Sequence, residues 1–197
     1  FRATSTTITQ LVDTAGKLSQ NRRGALIVVD LGSDLRPEDF LYSGTKIEAQ
    51  LSTDLLINLF ATDTPLHDGA VLVKGNKIIS AGVILPLSRQ GISRYGTRHL
   101  AALGITERFD RCICIVVSEE TGTLSLANQG KLERPITSSR LQELLVNLIG
   151  NQNSIGTNKS SLGKNSLSQN TNLSDNIVDD SKGKETEKPA IFINKNN

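Results

Sequence analysis

The 197-residue chain contains no methionine and no tryptophan, only two cysteines, and aromatic residues at just 4%. Each shortage excludes something. With no methionine even at position 1, the sequence reads as a piece of a longer protein. Cys112 and Cys114 stand two apart in an apolar run, so on a strand both face the same way. That spacing makes a poor disulfide, and two thiols alone make a poor zinc site. They read as buried small hydrophobes in a reducing compartment. No apolar run approaches the ~20 residues of a membrane span, and no signal peptide is recognisable. A formal net charge of +2 gives no broad electrostatic footprint, so no nucleic acid is expected as a partner. Neither a Walker loop nor a dinucleotide fingerprint occurs. A nucleotide ligand would need another cradle.

What is present is enough Leu, Ile, Val and Ala for one domain with a real core. Residues 1–23 are expected to form an amphipathic helix leading into it, with Ile8, Leu11, Val12, Ala15 and Leu18 at helical spacing and a stop at Gly24. Ala25–Val29 is a short continuous apolar run, typical of a strand buried on both faces. A polar segment, Leu31–Gly44, precedes an expected second helix over Ile47–Phe60, on which Leu51, Leu55, Leu56 and Leu59 fall in phase. Three strands are predicted at Ala70–Val73, Lys77–Leu85 and Cys112–Ser118, with a helix at Gly96–Leu103. A hairpin of Thr123–Ala127 and Lys131–Pro135 turns at Asn128-Gln129-Gly130. A last helix is predicted over Ser138–Ile149. The pattern gives an α/β fold, a mixed central sheet flanked by helices. Beyond Gly150, Asn, Ser, Lys and Gly dominate, so residues 151–197 are expected to be a disordered polar tail.

Three segments break apolar elements with polar residues and glycine. In Thr64-Pro65-Leu66-His67-Asp68-Gly69-Ala70, a carboxylate beside a glycine precedes a strand, where it can reach a metal ion or a hydroxyl proton. The same residues also make an ordinary Asp-Gly turn. In Tyr95-Gly96-Thr97-Arg98-His99, Thr97 or Gly96 can cap a helix whose N-terminus sits beside a guanidinium, an arrangement suited to phosphate. An exposed Arg and His on a capped helix fit the pattern as well. In Ser118-Glu119-Glu120-Thr121-Gly122, paired carboxylates at a strand end suit a hard divalent cation, or simply close a polar turn.

Taken in order, these pieces resemble the diadenylate cyclase domain. The resemblance runs from about Arg23 to Ile149 and rests on Gly24-Ala25-Leu26-Ile27-Val28, on Leu55–Phe60, on the His67-Asp68-Gly69-Ala70 segment, on Leu85-Pro86-Leu87-Ser88, on Gly96-Thr97-Arg98-His99 and on Val116–Gly122. Two positions depart from the family pattern. Leu100 stands where a second arginine is usual, and Ile84 stands where a tyrosine often lies near the adenine. On a helix Leu100 lies about 200° from Arg98, facing the core.

The resemblance implies that residues 24–150 are a catalytic domain that condenses two ATP molecules into cyclic di-AMP plus two pyrophosphates. It implies Asp68, Arg98 and His99 as catalytic residues. Gly69, Ala70, Leu85, Thr97, Arg98, Ser118, Glu119 and Glu120 would bind the nucleotide. His67, Asp68 and Glu120 would hold a divalent metal, Mn2+, Mg2+ or Co2+. It further implies a face-to-face homodimer and a membrane-anchored branch in which membrane segments precede Phe1, the domain itself being soluble at the cytoplasmic face. A regulatory protein partner is implied too. The alternative is a catalytically weakened module that binds ATP or cyclic di-AMP; a purely structural interaction domain would bind no nucleotide.

Overall fold

The computed structural model describes residues 5–90 and 94–155. Among these, the order is α1 (Ser5–Gln20), β1 (Ala25–Asp30), β2 (Thr45–Gln50), α2 (Thr53–Leu59), β3 (Ala70–Lys74), β4 (Lys77–Val83), α3 (Thr97–Arg108), β5 (Cys112–Val117), β6 (Leu124–Asn128), β7 (Lys131–Ile136) and α4 (Ser138–Ile155). The strands form one seven-stranded sheet in the order β2-β4-β3-β1-β5-β6-β7. Only the β1–β3 pair is parallel; the other pairs are antiparallel. The fold is therefore α/β with a mixed sheet.

The central strands are the continuous apolar runs, because helices cover both sides. β1 and β5 are buried at every position. Alternation divides each strand between two cores. Ile27 and Val29 join Leu11, Ala15 and Leu18 of α1 and Leu141 and Leu145 of α4 on one face. Leu26 and Val28 join Cys112, Cys114 and Val116 with Ala101, Ala102 and Ile105 of α3 on the other. Both thiols are free and buried side by side on the α3 face. Burial pushes the Cys114 thiol well above its ordinary value.

The expected helix over Ile47–Phe60 is two elements. Thr45–Gln50 is an edge strand paired with β4. Only then does Ser52, whose side chain accepts from the Leu55 N–H at 3.2 Å, cap the short α2. Ile47, Leu51 and Leu55 share a four-residue spacing by coincidence across the strand, its turn and the helix. α3 runs past the expected end at Leu103 to Arg108, because Gly104 is a packing glycine and not a stop. A Cβ there would lie 2.1 Å from the Pro86 carbonyl oxygen. α4 continues beyond Ile149 to Ile155, Gly150 facing open space. The rest of the expected tail, 156–197, lies outside the described residues.

Candidate functional site

The antiparallel register of β1 with β5, Ala25 opposite Val117, puts the start of β1 beside the end of β5. Ala70 pairs with Val83, so β3 begins where β4 ends. One end of the sheet thus collects the Asp68-Gly69 segment, the exit of β4 and the Ser118–Glu120 turn. The start of α3 comes to the same place. Together they line a cleft of about 420 Å³ that includes Leu26, His67, Asp68, Gly69, Ile84, Leu85, Leu87, Thr97, Arg98, Ala101 and Glu119.

Its polar groups are held in different ways. His67 Nδ1 lies 2.5 Å from the Thr64 carbonyl oxygen. A carbonyl only accepts, so Nδ1 is the donor in this contact, and Nε2 is the ring nitrogen left for a ligand. Asp68 follows at the end of a 3-10 turn over Pro65–His67, is exposed, and its carboxylate has no ion pair among the described residues. Gly69 is required here by geometry. Its φ is +142°, and a Cβ would sit 2.7 Å from the Gly82 carbonyl carbon. The chain can bring Asp68 over β4 only by dispensing with a side chain at the next residue.

Arg98 stands opposite in character: its guanidinium Nη1 donates to Glu119 Oε2 at 2.6 Å. Gly24 makes the space, since a Cβ there would meet the Arg98 guanidinium at 2.8 Å. Gly96 is the N-cap of α3 and no side chain caps that end, which leaves the helix start beside Thr97 and Arg98 available to an anion. Below, Leu26, Leu85 and Ala101 are buried and form an apolar floor.

A second cleft of about 430 Å³ adjoins the first and shares Thr97, Arg98 and Glu119 with it. It adds Arg94, Ser118, Glu120, Thr121 and Arg134. Ser118 and Glu120 therefore stand apart from Asp68. The expected trio His67, Asp68 and Glu120 is not brought together, and the described residues contain no cluster of three or more His, Cys, Asp or Glu side chains able to hold a metal. Glu119 lines both clefts, whereas Glu120 lines only the second.

His99 turns inward. Its Nε2 lies 3.1 Å from Ser125 Oγ in the sheet, and it is 7% exposed. Burial, and then the charge of Arg134, holds its imidazole below the ordinary histidine value. Ala70 is wholly buried among core residues, so only its backbone can meet a ligand. Leu100 is buried, and the departure from arginine at that position falls outside the first cleft. Leu26, Val83, Leu87 and Ala101 line the cleft, and Gly24 makes room for Arg98, though none was among the expected site residues. Gly24, Leu26 and Leu87 do lie in segments that carry the resemblance, whereas Val83 and Ala101 gave no signal.

An exposed carboxylate, an imidazole and a salt-bridged arginine thus line one cleft over an apolar floor in an α/β domain. The chain belongs to the DAC family, whose model, described as DisA bacterial checkpoint controller nucleotide-binding, matches residues 12–132. A diadenylate cyclase of Listeria monocytogenes is 47% identical over 131 residues, 66% of this chain and 47% of that protein. The cyclic di-AMP synthase CdaA of Bacillus subtilis is 41% identical over 71% of this chain and 50% of its own length. The chain thus spans about half the length of these curated relatives. Among solved structures, a DacA double mutant from Staphylococcus aureus superposes with a TM-score of 0.66 at 37% identity, covering 72% of this chain and 94% of that one. A protein described as a hypothetical membrane spanning protein from Bacillus cereus matches at 0.60 and 41% identity, over 66% of this chain and 63% of that one. No helix among the described residues is long and apolar enough to cross a membrane.

Proposed function

We propose that this domain is a diadenylate cyclase that condenses two ATP molecules into cyclic di-AMP and two pyrophosphates. One observation carries the reading: Asp68 and Arg98, brought by different elements, line a single apolar-floored cleft. The adenine lies on Leu85 and Leu26. Arg98, Thr97 and the open start of α3 take phosphate oxygens, and the triphosphate extends along the shared wall toward Ser118, Arg134 and Glu120 in the second cleft. Asp68, free of other partners, accepts or orients the 3′-hydroxyl proton. The 3′-oxygen then attacks the α-phosphorus of the other ATP, and pyrophosphate leaves. Arg98 stabilises the charge gathering on the phosphoryl oxygens, with Glu119 keeping its fork in place.

Two residues suit a divalent cation such as Mn2+, Mg2+ or Co2+: His67 through Nε2 and Asp68 through a free oxygen. Two protein ligands are what a cation shared with a triphosphate needs, as phosphate oxygens and water complete the shell. When bound, it would offset phosphate charge. His99 supports the start of α3 from within, through Ser125, and also forms part of the wall of the second cleft. Because each domain offers one Asp68 cleft, the reaction needs two copies facing each other. The Bacillus cereus relative's description supports a membrane-anchored parent, with this domain on the cytoplasmic side where ATP is found and a regulatory protein able to reach it.

The test is concentrated protein with ATP and manganese, followed by mass spectrometry for cyclic di-AMP. Product is expected, and Asp68→Asn should lower its rate by about a hundredfold or more, the range for loss of a general base. ATP binding without product under every metal would leave a nucleotide-binding module instead.

A further inference from the structure

The floor of the first cleft is aliphatic, and His67 carries the only aromatic ring among the described residues that line it. Leu26, Val83, Ile84, Leu85 and Leu87 are aliphatic, and the ring of His67 is tied to Thr64. The chain has two tyrosines and no tryptophan. Tyr95 is committed elsewhere, with the Arg134 guanidinium over its ring at 5.6 Å and the His99 ring 6.3 Å away.

Tyr42 is placed differently. It forms an antiparallel bridge with Ile84. The Ile84 N–H donates to the Tyr42 carbonyl at 2.9 Å, and the Leu41 N–H donates back to the Ile84 carbonyl at 2.9 Å. Residues paired in this way carry their side chains on the same face, with Cβ atoms about 4.5–5.5 Å apart. Ile84 lines the cleft, so Tyr42 stands beside it at the rim. Gly44 holds the segment down: its φ is +73°, and a Cβ there would lie 2.3 Å from the Ala81 carbonyl oxygen of β4. Tyr42 is 58% exposed and Ile84 40%, so both have apolar area left for a ligand to cover.

We propose that Tyr42 is the base-stacking residue of the cleft, laying its ring on the adenine of an ATP held against Ile84 and Leu85, and so favouring purine over pyrimidine nucleotides. The inference rests on the cyclase reading above. A fixed aromatic ring supplies stacking area at little entropic cost, and removing such a ring weakens base binding measurably.

The experiment uses Tyr42→Trp, which installs the chain's sole tryptophan. It is titrated with a non-hydrolysable ATP analogue and with the matching cytidine nucleotide, alongside calorimetry on wild type, Tyr42→Ala and Tyr42→Phe. The expected result is quenching of the introduced tryptophan that saturates with the calorimetric Kd and is weaker for the cytidine nucleotide. Tyr42→Ala should raise Kd for the ATP analogue by about five- to twentyfold, and Tyr42→Phe should restore it. An unchanged Kd in Tyr42→Ala with no quenching overturns the proposal and leaves the cyclase standing. A lower dimer fraction in Tyr42→Ala at unchanged Kd overturns it too, and assigns the rim to a second copy. No binding of the analogue to wild type overturns both readings.

Discussion

Arg98 and His99 are neighbours with opposite surroundings. An α-helix turns about 100° per residue, so when Arg98 reaches the cleft, His99 is carried to the sheet. There its Nε2 meets Ser125 at 3.1 Å, and burial followed by the Arg134 charge lowers its affinity for a proton. The unfolded chain, whose histidine titrates near ~6.5, therefore takes up a proton at a pH where the folded chain does not. Stability tied to neutral His99 is intact above that value and is lost as pH falls through it toward the lower folded value. Thermal melts between about pH 7.5 and 5.5 should fall more steeply for wild type than for His99→Gln, which keeps a polar group near Ser125 and cannot titrate. Equal slopes would remove His99 as the source. The sequence singled out the Arg-His pair but not which member lines the first cleft, because that is set by the roll of α3 on β5 and β6. The same holds for Glu119 and Glu120, whose directions depend on the turn that Ser118 closes, its N–H donating to the Thr123 carbonyl at 3.0 Å.

Elements were legible where burial is two-sided and continuous. Ala25–Val29 and Cys112–Val117 have no polar residue to mislead, and the hairpin between β6 and β7 announces itself at Asn128-Gln129-Gly130. Elements were misread where a signal has two physical causes. Ile47 and Leu51 keep helical phase while lying in an edge strand and the turn after it, and Gly104 is a close approach instead of a helix end. That close approach matters to the site. The Ser88 N–H donates to the Leu100 carbonyl at 2.9 Å, and Ser88 Oγ donates to Glu107 at 2.6 Å, so the Leu85–Ser88 segment is clamped to α3. Gly104→Ala drives a methyl into the Pro86 carbonyl and should cost about 1–3 kcal/mol in denaturant melts. It should also weaken ATP binding, since Leu85 and Leu87 ride on the displaced segment. Ser52→Ala serves as the contrast. It removes the α2 cap at a cost of about 1 kcal/mol and should leave nucleotide affinity unchanged. If both variants lose affinity in proportion to stability, the clamp has no specific part in shaping the cleft.

At the scale of the whole molecule, the sheet gathers its cleft at one end and leaves each domain with a single Asp68. A cyclic dinucleotide has two phosphodiester bonds, and in the proposed face-to-face pair each domain directs one 3′-oxygen. This division of labour makes a prediction that a monomeric enzyme would not share. When wild type is mixed with an excess of Asp68→Asn, most wild-type copies sit in mixed pairs, in which only one of the two hydroxyls has a working carboxylate. Such a pair closes the first bond and stalls before the second. Cyclic di-AMP should fall more steeply than dilution of wild type alone explains, and a linear triphosphate-bearing dinucleotide should accumulate in the same samples. The effect should fade at protein concentrations too low for pairing, because the variant acts only from within a dimer. A yield that simply tracks the wild-type fraction, with no linear product, would mean that one domain completes both bonds, and the face-to-face arrangement would have to be given up while Asp68 kept its role.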